Sequence, residues 1–172
     1  MEELCTERLV IREFSLTDAD FVVQLLNEEL FLQHIGDKGV RSAKDARKYL
    51  QDGPIASYSA YGYGLFHVGE KKTGKSLGMC GLLRRNDQPH PDIGFAFLEQ
   101  YHAQGYAYES AMAVLDYGYD AMNLDTIVAY AGAENTRSIR LLEKLGLRFT
   151  GETRIDGIPE IQSMFSAAQQ ER

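Results

Sequence analysis

The first third of the chain combines one β-rich run with two helical patterns. Residues 8–14 are short, apolar and β-rich, which predicts a strand. A helix is expected to begin at Thr17, because an acidic residue, Asp20, follows three positions later as in a capping box. Residues 42–50 predict a second short helix, and we expect Asp52-Gly53-Pro54 to end it.

The middle of the chain predicts three strands and two polar turns. An aromatic, glycine-rich stretch is interpreted as a loop that leads into the first of these strands. The loop is expected at 58–63, the strands at 64–68, 76–84 and 92–98, and the turns at 70–75 and 86–91.

The clearest helix lies at 104–122. One of its faces is made of small and apolar residues, namely Ala107, Ala111, Val114, Leu115, Gly118 and Met122. A strand at 126–131 follows, and then a helix at 135–145, for which Asn135 is a natural cap and Gly146 a natural end.

The chain ends with a predicted strand pair. Residues 147–155 and 160–165 form its two strands, and the turn is expected at Asp156-Gly157. The order of elements is therefore β, α, α, β-β-β, α, β, α, β-β, with no linker or repeat. It predicts one mixed α/β (α+β) domain over residues 1–172, with a largely antiparallel sheet and a βαβ unit in its second half.

The composition narrows the function classes. The chain has 172 residues, 44% of them hydrophobic, which is a globular value. Its net charge of −7 argues against a nucleic-acid partner, which needs a basic face, and weakly favours a cationic ligand. No apolar run approaches the ~20 residues that span a bilayer, so no membrane partner is expected. The acidic start lacks a secretory pattern and the chain has two cysteines, so a cytoplasmic location is expected.

Residues 69–76 match the phosphate-loop pattern G-x-x-x-x-G-K-[ST] letter for letter. In such a loop Lys75 would contact the terminal phosphate and Ser76 a magnesium ion. The pattern needs a helix after the lysine, but residues 77–83 carry two glycines and predict a strand. We therefore interpret 69–76 as a charged hairpin turn and keep a nucleotide binder as a remote alternative.

The stretch from residue 93 to residue 147 carries the candidate chemistry. The strand at 93–98, a loop with Gly105 and a helix start form an anion site, because the first amides of a helix are unpaired and its dipole is positive there. Gly105 can adopt a positive φ and let a diphosphate approach the backbone. Taken alone, an ordinary tight connection explains the same pattern.

A second stretch of sequence strengthens the prediction of a phosphate-binding loop around Gly105. Asn135-Thr136-Arg137-Ser138, followed by Glu143-Lys144-Leu145-Gly146-Leu147, lies about thirty residues beyond the loop. The loop at 102–107 and this block resemble the two motifs of the GNAT N-acetyltransferase superfamily, [QR]-x-x-G-x-[GA] and N-x-x-[AS] followed by E-K-L-G-F. Residues 6–12 and 78–82 resemble the RimJ/RimL-like branch, which acetylates ribosomal-protein N-termini. The resemblance covers about residues 6–166.

The resemblance implies the acyl-CoA N-acyltransferase fold, with a mixed, mostly antiparallel sheet of six to seven strands and about four helices. The strands at 92–98 and 126–131 are expected to splay apart in a V. The pantetheine arm of acetyl-CoA is expected in that gap, on free backbone groups near Phe97 and Leu98. The pyrophosphate is expected on the loop, whose residues are His102, Ala103, Gln104, Gly105, Tyr106 and Ala107.

The later helix contributes the remaining expected contacts with acetyl-CoA, from Asn135, Arg137 and Ser138. Asn135 would hydrogen-bond pantetheine or the nearby backbone, and its simpler role is a helix cap. Arg137 could reach the 3′-phosphate, unless it belongs to a solvated helix face. The loop departs from the family at His102 and at Ala103-Gln104, where Gly-Lys is frequent. The backbone amides remain, so we expect binding to survive.

The implied reaction is direct attack of a primary amine on the acetyl thioester in a ternary complex. Many family members protonate the leaving thiolate with a tyrosine, at the position that Leu142 holds here. Ser138, one helical turn earlier, is the substitute that we favour, and Tyr130 is its rival. Asp92 and Glu99 are candidates for the base, and a water chain could replace either of them.

Several alternatives stay open. A non-catalytic acyl-CoA-binding module is one, because the usual tyrosine is missing. The four histidines lack metal-ligand spacing, so no metal is expected. Glu109 is expected to have a structural role beneath the loop. The acceptor is a protein N-terminus or a small-molecule amine, shaped by the N-terminal helices and by 58–63. A monomer and a homodimer are equally open.

Overall fold

A single sheet of eight strands, with helices on both faces, organises the protein. The computed structural model describes residues 3–168. Its strands are β1 (Leu4–Cys5), β2 (Leu9–Arg12), β3 (Leu65–Glu70), β4 (Ser76–Leu83), β5 (Asp92–Phe97), β6 (Thr126–Gly132), β7 (Arg148–Ile155) and β8 (Ile158–Ala168). Its α-helices are α1 (Ala19–Leu26), α2 (Glu29–His34), α3 (Ala43–Leu50), α4 (Ala56–Tyr61), α5 (Tyr106–Asp116) and α6 (Thr136–Lys144).

The sheet splits in its middle. The strand order is β1-β2-β3-β4-β5-β6-β8-β7, and all neighbours are antiparallel except β5 and β6. These two parallel strands pair only where Asp92 faces Val128, although β5 continues to Phe97 and β6 to Gly132. They therefore diverge toward their C-terminal ends, which confirms the predicted V. The described sheet is larger than expected, with eight strands rather than six to seven.

The two faces of the sheet carry separate cores. Ile93 and Phe97 of β5 are buried in a core shared with α5 and α6, and Phe95 packs against it. The intervening Ala96 packs on the opposite side, in a core shared with α1 and α3. This is the alternation expected of a strand that is covered on both sides. We call the first side the α5 face and the second the α1 face.

Polar side chains cap two of the predicted helices, and for the second of them, α6, the sequence predicted the cap. The hydroxyl oxygen Oγ of Ser42 accepts the Asp45 amide at 3.2 Å, while Asp45 accepts the Ser42 amide at 2.9 Å, a reciprocal capping box. At α6, the Asn135 side chain accepts the Ser138 amide at 3.2 Å. The final antiparallel pair, β7 and β8, and the turn between them are also confirmed.

The region after α3 differs from the expectation. The sequence Asp52-Gly53-Pro54 does not end the helix, because the chain widens into a π-helical turn at Gln51–Ile55 and continues as α4. A wider turn accommodates Pro54, which lacks an amide donor and would crowd an ordinary helical turn. Residues 58–63 are therefore not a loop: most of them belong to α4, which stops at Gly62 with φ +76°.

The start of the chain also holds more structure than predicted. The short strand β1 and the six-residue helix α2 were not expected. Thr17 does not cap α1: a 3-10 turn at Leu16–Asp18 precedes the helix, and Asp18 accepts the Ser15 amide at 2.9 Å. Short elements of this kind carry too few residues for a periodic signal.

The phosphate-loop match at 69–76 is a hairpin turn. β3 ends at Glu70, β4 begins at Ser76, and the Glu70 amide donates to the Lys75 carbonyl at 2.8 Å. A strand follows Lys75 where a phosphate loop requires a helix, so the nucleotide-binder alternative is wrong. Within residues 3–168, no helix is long and apolar enough to cross a bilayer.

Candidate active site

The gap between β5 and β6 is lined by unpaired backbone. The Leu98 amide donates to the Leu77 carbonyl at 3.0 Å, so its hydrogen bond is directed at β4. Because backbone direction alternates along a strand, the polar groups of Phe95 and Phe97 point the other way, into the gap. At the closed end, the Val128 amide donates to the Pro91 carbonyl at 3.0 Å. The structure thus places Phe97 at the gap, turns the amide of Leu98 away and adds Phe95.

His102 takes part in this arrangement through its ring. Its Nε2 lies 2.8 Å from the Phe97 carbonyl oxygen, and the side chain is half-buried. That carbonyl is one of the groups that point into the gap, so the ring fixes the end of β5 to the following loop. The amide and carbonyl of Phe95 and the amide of Phe97 stay available to a ligand backbone.

The loop before α5 has an uncommon backbone. Ala103 has φ +58° and Gly105 has φ +85°, and α5 begins at the next residue, Tyr106. A non-glycine residue in the left-handed region costs roughly 1–2 kcal/mol, and such strain clusters at functional sites. The frequent glycine of the family would relieve it at Ala103. Ala103, Gln104 and Gly105 are exposed, so the turn that leads into α5 is open to solvent, as an anion site at a helix start requires.

The last two loop residues offer backbone rather than side chains. Tyr106 is buried, and its hydroxyl donates to Glu70 at 3.4 Å. Ala107 is half-buried against the core, and its carbonyl accepts from the Ser110 hydroxyl at 3.2 Å. Their amides, in the first turn of α5, are what they can present to a ligand.

Glu109 lies in the first turn of α5 and is fully engaged. Its Oε1 accepts the Thr6 hydroxyl at 2.5 Å and the Arg8 amide at 2.9 Å, and its Oε2 accepts Arg8 Nε at 2.7 Å. Burial raises the pKa of Glu109, but the hydrogen bonds from Thr6 and Arg8 outweigh it and hold the pKa below its usual value. Sequence reasoning missed Arg8, because 101 positions separate it from Glu109.

The start of α6 lies at the same end of the sheet as the loop. β5 and β6 are parallel, so the elements that follow them, α5 and α6, both begin at the open end of the V. Asn135 is half-buried and uses its side-chain oxygen as the cap of α6. Ser138 is half-buried, whereas Arg137 and Arg140 are exposed. The structure thus places the two sequence motifs at the same end of the sheet, although they are far apart in the chain.

Leu142, where many relatives carry a tyrosine, is only 1% exposed and packs in the core of the α5 face. An apolar side chain suits that position. Ser138 precedes it by one helical turn and therefore lies on the same side of α6. Leu142 has no proton to donate, whereas Ser138 carries a hydroxyl group.

A polar cluster occupies the α1 face at the closed end of the V. Asp92 is 2% exposed and binds Arg85 twice, with Oδ1–Nε at 2.8 Å and Oδ2–Nη2 at 3.1 Å. Burial raises the pKa of Asp92, and the Arg85 guanidinium offsets this only in part. The Tyr130 hydroxyl donates to Gln88 at 3.1 Å, and burial raises the pKa of Tyr130 to about 12. Tyr130 therefore keeps its proton at neutral pH.

Glu99 stands apart from this cluster. It follows β5 at the open end, where its carboxylate accepts the Leu30 amide at 3.0 Å and its own amide donates to Glu28 at 2.6 Å. These bonds tie the end of β5 to α2. Across residues 3–168, no group of three or more His, Cys, Asp or Glu side chains is placed to hold a metal ion.

A parallel strand pair that opens toward two helix starts is the architecture of an acyl-CoA-dependent acyltransferase. The sequence profile of the acetyltransferase (GNAT) domain matches residues 8–148, and the chain belongs to this family. It is 30% identical over 153 residues to the protein named "Uncharacterized N-acetyltransferase p20" of Bacillus licheniformis, across 88% of this chain and 85% of that protein. The chain is thus an acyltransferase, an N-acetyltransferase like its relatives.

Solved structures agree with this assignment. A GNAT-family acetyltransferase from Bacillus anthracis superposes with a TM-score of 0.81 at 26% identity, covering 98% of this chain and 99% of that one. A structure of RimL, the ribosomal L7/L12 alpha-N-protein acetyltransferase, in complex with coenzyme A gives a TM-score of 0.84, with coverage of 99% and 100%. Its identity is 15%, so this second likeness concerns the fold.

Proposed function

We propose that this chain binds acetyl-CoA in the gap between β5 and β6 and transfers the acetyl group to a primary amine that approaches from the α1 face. One observation carries the proposal: β5 and β6 pair only where Asp92 faces Val128 and then part toward the starts of α5 and α6. The family membership agrees with it. The RimL neighbour, which shares the fold, was solved with coenzyme A.

The residues present fit acetyl-CoA. The free backbone groups of Phe95 and Phe97 suit the amide-rich pantetheine arm. The exposed, left-handed turn at Ala103–Gly105 and the first amides of α5 suit a pyrophosphate. Arg137 at the start of α6 is exposed, and we assign it to the remaining phosphate. When bound, acetyl-CoA supplies the activated acetyl group.

Side chains of this protein would donate and accept the protons that the reaction moves. The amine nitrogen forms a bond to the acetyl carbon, the carbon–sulfur bond breaks, and the departing sulfur takes up a proton. We assign that proton to the Ser138 hydroxyl, because it lies at the start of α6 on the same side as the buried Leu142. Tyr130 is the alternative donor, since it keeps its proton. An amide that points into the gap, such as that of Phe95, would stabilise the oxyanion.

The amine must lose its proton, and Asp92 is the candidate base. Its burial raises its pKa, which favours proton uptake, but both of its oxygens are held by Arg85. The Arg85–Asp92 pair can instead order a water molecule that carries the proton out. Glu99 is engaged at the opposite end of the V and is the weaker candidate.

The acceptor class is a primary amine on a protein N-terminus or a small molecule. The RimL neighbour acts on a ribosomal protein, as its name says, and another neighbour of the same fold is named as a spermidine N-acetyltransferase, so both acceptor classes stay open. We further propose that residues 1–172 form one catalytic domain that works in the cytoplasm as a monomer or a homodimer.

Two measurements test the proposal. Isothermal titration should show that acetyl-CoA binds and that ATP does not. A free-thiol release assay with a panel of protein N-terminal peptides, polyamines and amino acids should then show turnover with at least one amine. Binding without turnover for any amine would favour a non-catalytic acyl-CoA-binding module, and the absence of binding would contradict the proposal.

The acid is tested by two matched hydroxyl deletions. Ser138→Ala should lower kcat by about 100- to 10,000-fold, the range of general acid catalysis, with the acetyl-CoA Kd within a few-fold of wild type. Tyr130→Phe is the control and should keep most of kcat. The opposite ranking would assign the proton to Tyr130, and a collapse of affinity with unchanged kcat in Ser138→Ala would indicate a binding role.

A further inference from the structure

The loop that receives the pyrophosphate in the proposed function has no basic residue of its own. Residues 102–107 read His-Ala-Gln-Gly-Tyr-Ala, without a lysine or an arginine. The structure brings one from the start of β2: Arg8 Nη1 donates to the Gln104 carbonyl at 3.0 Å. Its Nη2 lies 3.2 Å from the position that a Cβ on Gly105 would occupy. A guanidinium group therefore lies against the two central residues of the loop.

Arg8 is held in place by contacts at several points of its side chain and backbone. Its Nε and its backbone amide both donate to the Glu109 carboxylate, at 2.7 Å and 2.9 Å. Its guanidinium carbon lies 4.5 Å above the ring of Tyr106. Its carbonyl accepts the Lys71 amide at 2.8 Å, which fixes the backbone to the β3–β4 turn. A side chain restrained in this way is already ordered before any ligand arrives.

The ion pair of Arg8 and Glu109 has a defined orientation relative to the loop. Glu109 takes hydrogen bonds on the β2 side, from Thr6 and from the backbone and Nε of Arg8, while the terminal nitrogens Nη1 and Nη2 of Arg8 lie toward Gln104 and Gly105. The negative end of the pair is thus turned to the N-terminal segment and the positive end to the loop. Arg8 is also the more open partner, with 42% of its side chain exposed against 18% for Glu109.

We propose that Arg8, oriented by Glu109, is a positioning residue of the cofactor site: it holds the Gln104–Gly105 turn in its binding conformation and adds positive charge beside the pyrophosphate. This inference rests on the proposed function. It explains how a loop without Lys or Arg keeps an anion site. It also explains why the strained backbone at Ala103 persists, since a fixed neighbour on one side of the turn resists relaxation.

Arginine suits this role better than lysine does. Its planar fork makes the contact with Glu109 and the contact with the Gln104 carbonyl at the same time, and its flat face lies over Tyr106. A lysine carries the same charge on a single nitrogen and can satisfy only part of this set. The proposal therefore predicts a graded series, with Arg8 best, lysine intermediate and an uncharged chain of similar length worst.

The test compares wild type with Arg8→Lys and Arg8→Met, because methionine keeps an apolar stem over Tyr106. We expect the Kd for coenzyme A, from isothermal titration, to rise about 10- to 100-fold in Arg8→Met and less in Arg8→Lys. Turnover of S-acetylpantetheine, which lacks the pyrophosphate, should change less than twofold. Amide hydrogen exchange without ligand should increase in peptides from the loop and the first turn of α5. The control is Arg47→Ala, an exposed arginine on α3.

The possible outcomes distinguish a failure of the role assigned to Arg8 from a failure of the proposed function. Coenzyme A binding by wild type with an unchanged Kd in Arg8→Met would overturn the role of Arg8 and leave the proposed function intact. Equal losses with coenzyme A and S-acetylpantetheine, together with faster exchange across the whole chain, would show a general folding role and also overturn it. Failure of wild type to bind coenzyme A would overturn both.

Discussion

The two faces of the sheet at the V are built in different ways. On the α5 face, the groups that we propose to meet the cofactor are backbone: the open edge of β5 at Phe95 and Phe97, and the turn at Ala103–Gly105 that leads into α5. On the α1 face they are side chains, above all Asp92, held by Arg85, and Tyr130, held by Gln88.

This difference predicts where the protein tolerates change. A backbone site depends on conformation and on its supports, so we expect it to tolerate the departures from the family pattern at His102 and Ala103-Gln104. A side-chain site depends on the identity of each group, because a buried charge that loses its partner is costly. Variation among relatives in the choice of acceptor should therefore arise mainly on the α1 face.

The largest expected effect comes from breaking the ion pair of the α1 face. Arg85→Ala leaves Asp92, whose side chain is 3% exposed, without a cation. We expect the free energy of unfolding to fall by about 3–5 kcal/mol at neutral pH, the usual cost of removing one partner of a buried pair. Urea unfolding, followed by circular dichroism, measures this.

The way in which the stability loss in Arg85→Ala changes with pH provides a second test of the same ion pair. Without Arg85, burial raises the pKa of Asp92 further, so the folded protein binds a proton that the unfolded chain releases above a pKa of about 3.9. The loss in Arg85→Ala should accordingly shrink as the pH falls toward 4. Arg84→Ala is the control, because Arg84 is exposed and its hydrogen bond to the Pro89 carbonyl, at 2.6 Å, is made to a backbone group. Equal losses of unfolding free energy in Arg85→Ala and Arg84→Ala would contradict the view that the α1 face depends on the Arg85–Asp92 pair.

A second effect also belongs to the α1 face. His67 on β3 is 3% exposed, its Nε2 lies 2.8 Å from the Ser76 hydroxyl, and its ring is flanked by Phe14 and Phe21. Burial lowers the pKa of His67 to about 4, and Arg12 adds to this, while Asp18 opposes it. The folded protein therefore keeps His67 neutral where the unfolded chain, with a pKa near 6.5, takes up a proton.

The stability that depends on His67 is complete above pH 6.5 and is lost as the pH falls to 4. The expected loss is about 2–3 kcal/mol in the free energy of unfolding. Carboxylates titrate in the same range, so the relevant quantity is the difference between wild type and His67→Gln, measured by urea unfolding from pH 4 to pH 8. The difference should narrow on acidification. Parallel curves would show that His67 is not a buried neutral base.

The sequence predicted the elements that have strong local signals. The sequence identified the cap at Asn135, the short helix at 42–50 and the long helical face that became α5, because the residues that define each of them lie close together in the chain. The splay of β5 and β6 came from family resemblance rather than from local pattern. The π turn through Pro54 was missed, since local rules treat a proline as a helix end.

In the candidate site, too, the residues with a local sequence signal could be predicted and those joined by long-range contacts could not. The loop at 102–107 and the motif at 135–138 could be proposed from the sequence, because each is a contiguous stretch. The Arg8–Glu109 pair and the partners of Asp92 were not, because long-range contacts leave no local signal. The sequence named Phe97 and Leu98 alike, and it could not tell that the Leu98 amide turns to Leu77, since strand alternation is fixed only by the pairing with β4.

The smallest effect tests the backbone site directly, through two glycines with the same conformation. Gly105 has φ +85° and Gly157, in the β7–β8 turn, has φ +81°. A Cβ at Gly157 meets nothing within 4 Å, whereas a Cβ at Gly105 lies 3.2 Å from Arg8 Nη2. Both alanine variants carry a left-handed strain of about 1–2 kcal/mol, so both should lose a similar amount of stability in urea.

Only Gly105→Ala should also weaken the binding of acetyl-CoA. The added methyl group displaces Arg8 and favours a different turn, so the Kd from isothermal titration should rise about 5- to 20-fold, as expected for roughly 1–2 kcal/mol of strain relieved outside the binding conformation. Gly157→Ala should leave the Kd unchanged. If both variants bound acetyl-CoA like wild type, the conformation of residues 103–105 would not matter to the cofactor. Positive charge from side chains, rather than backbone geometry, would then have to hold the phosphates.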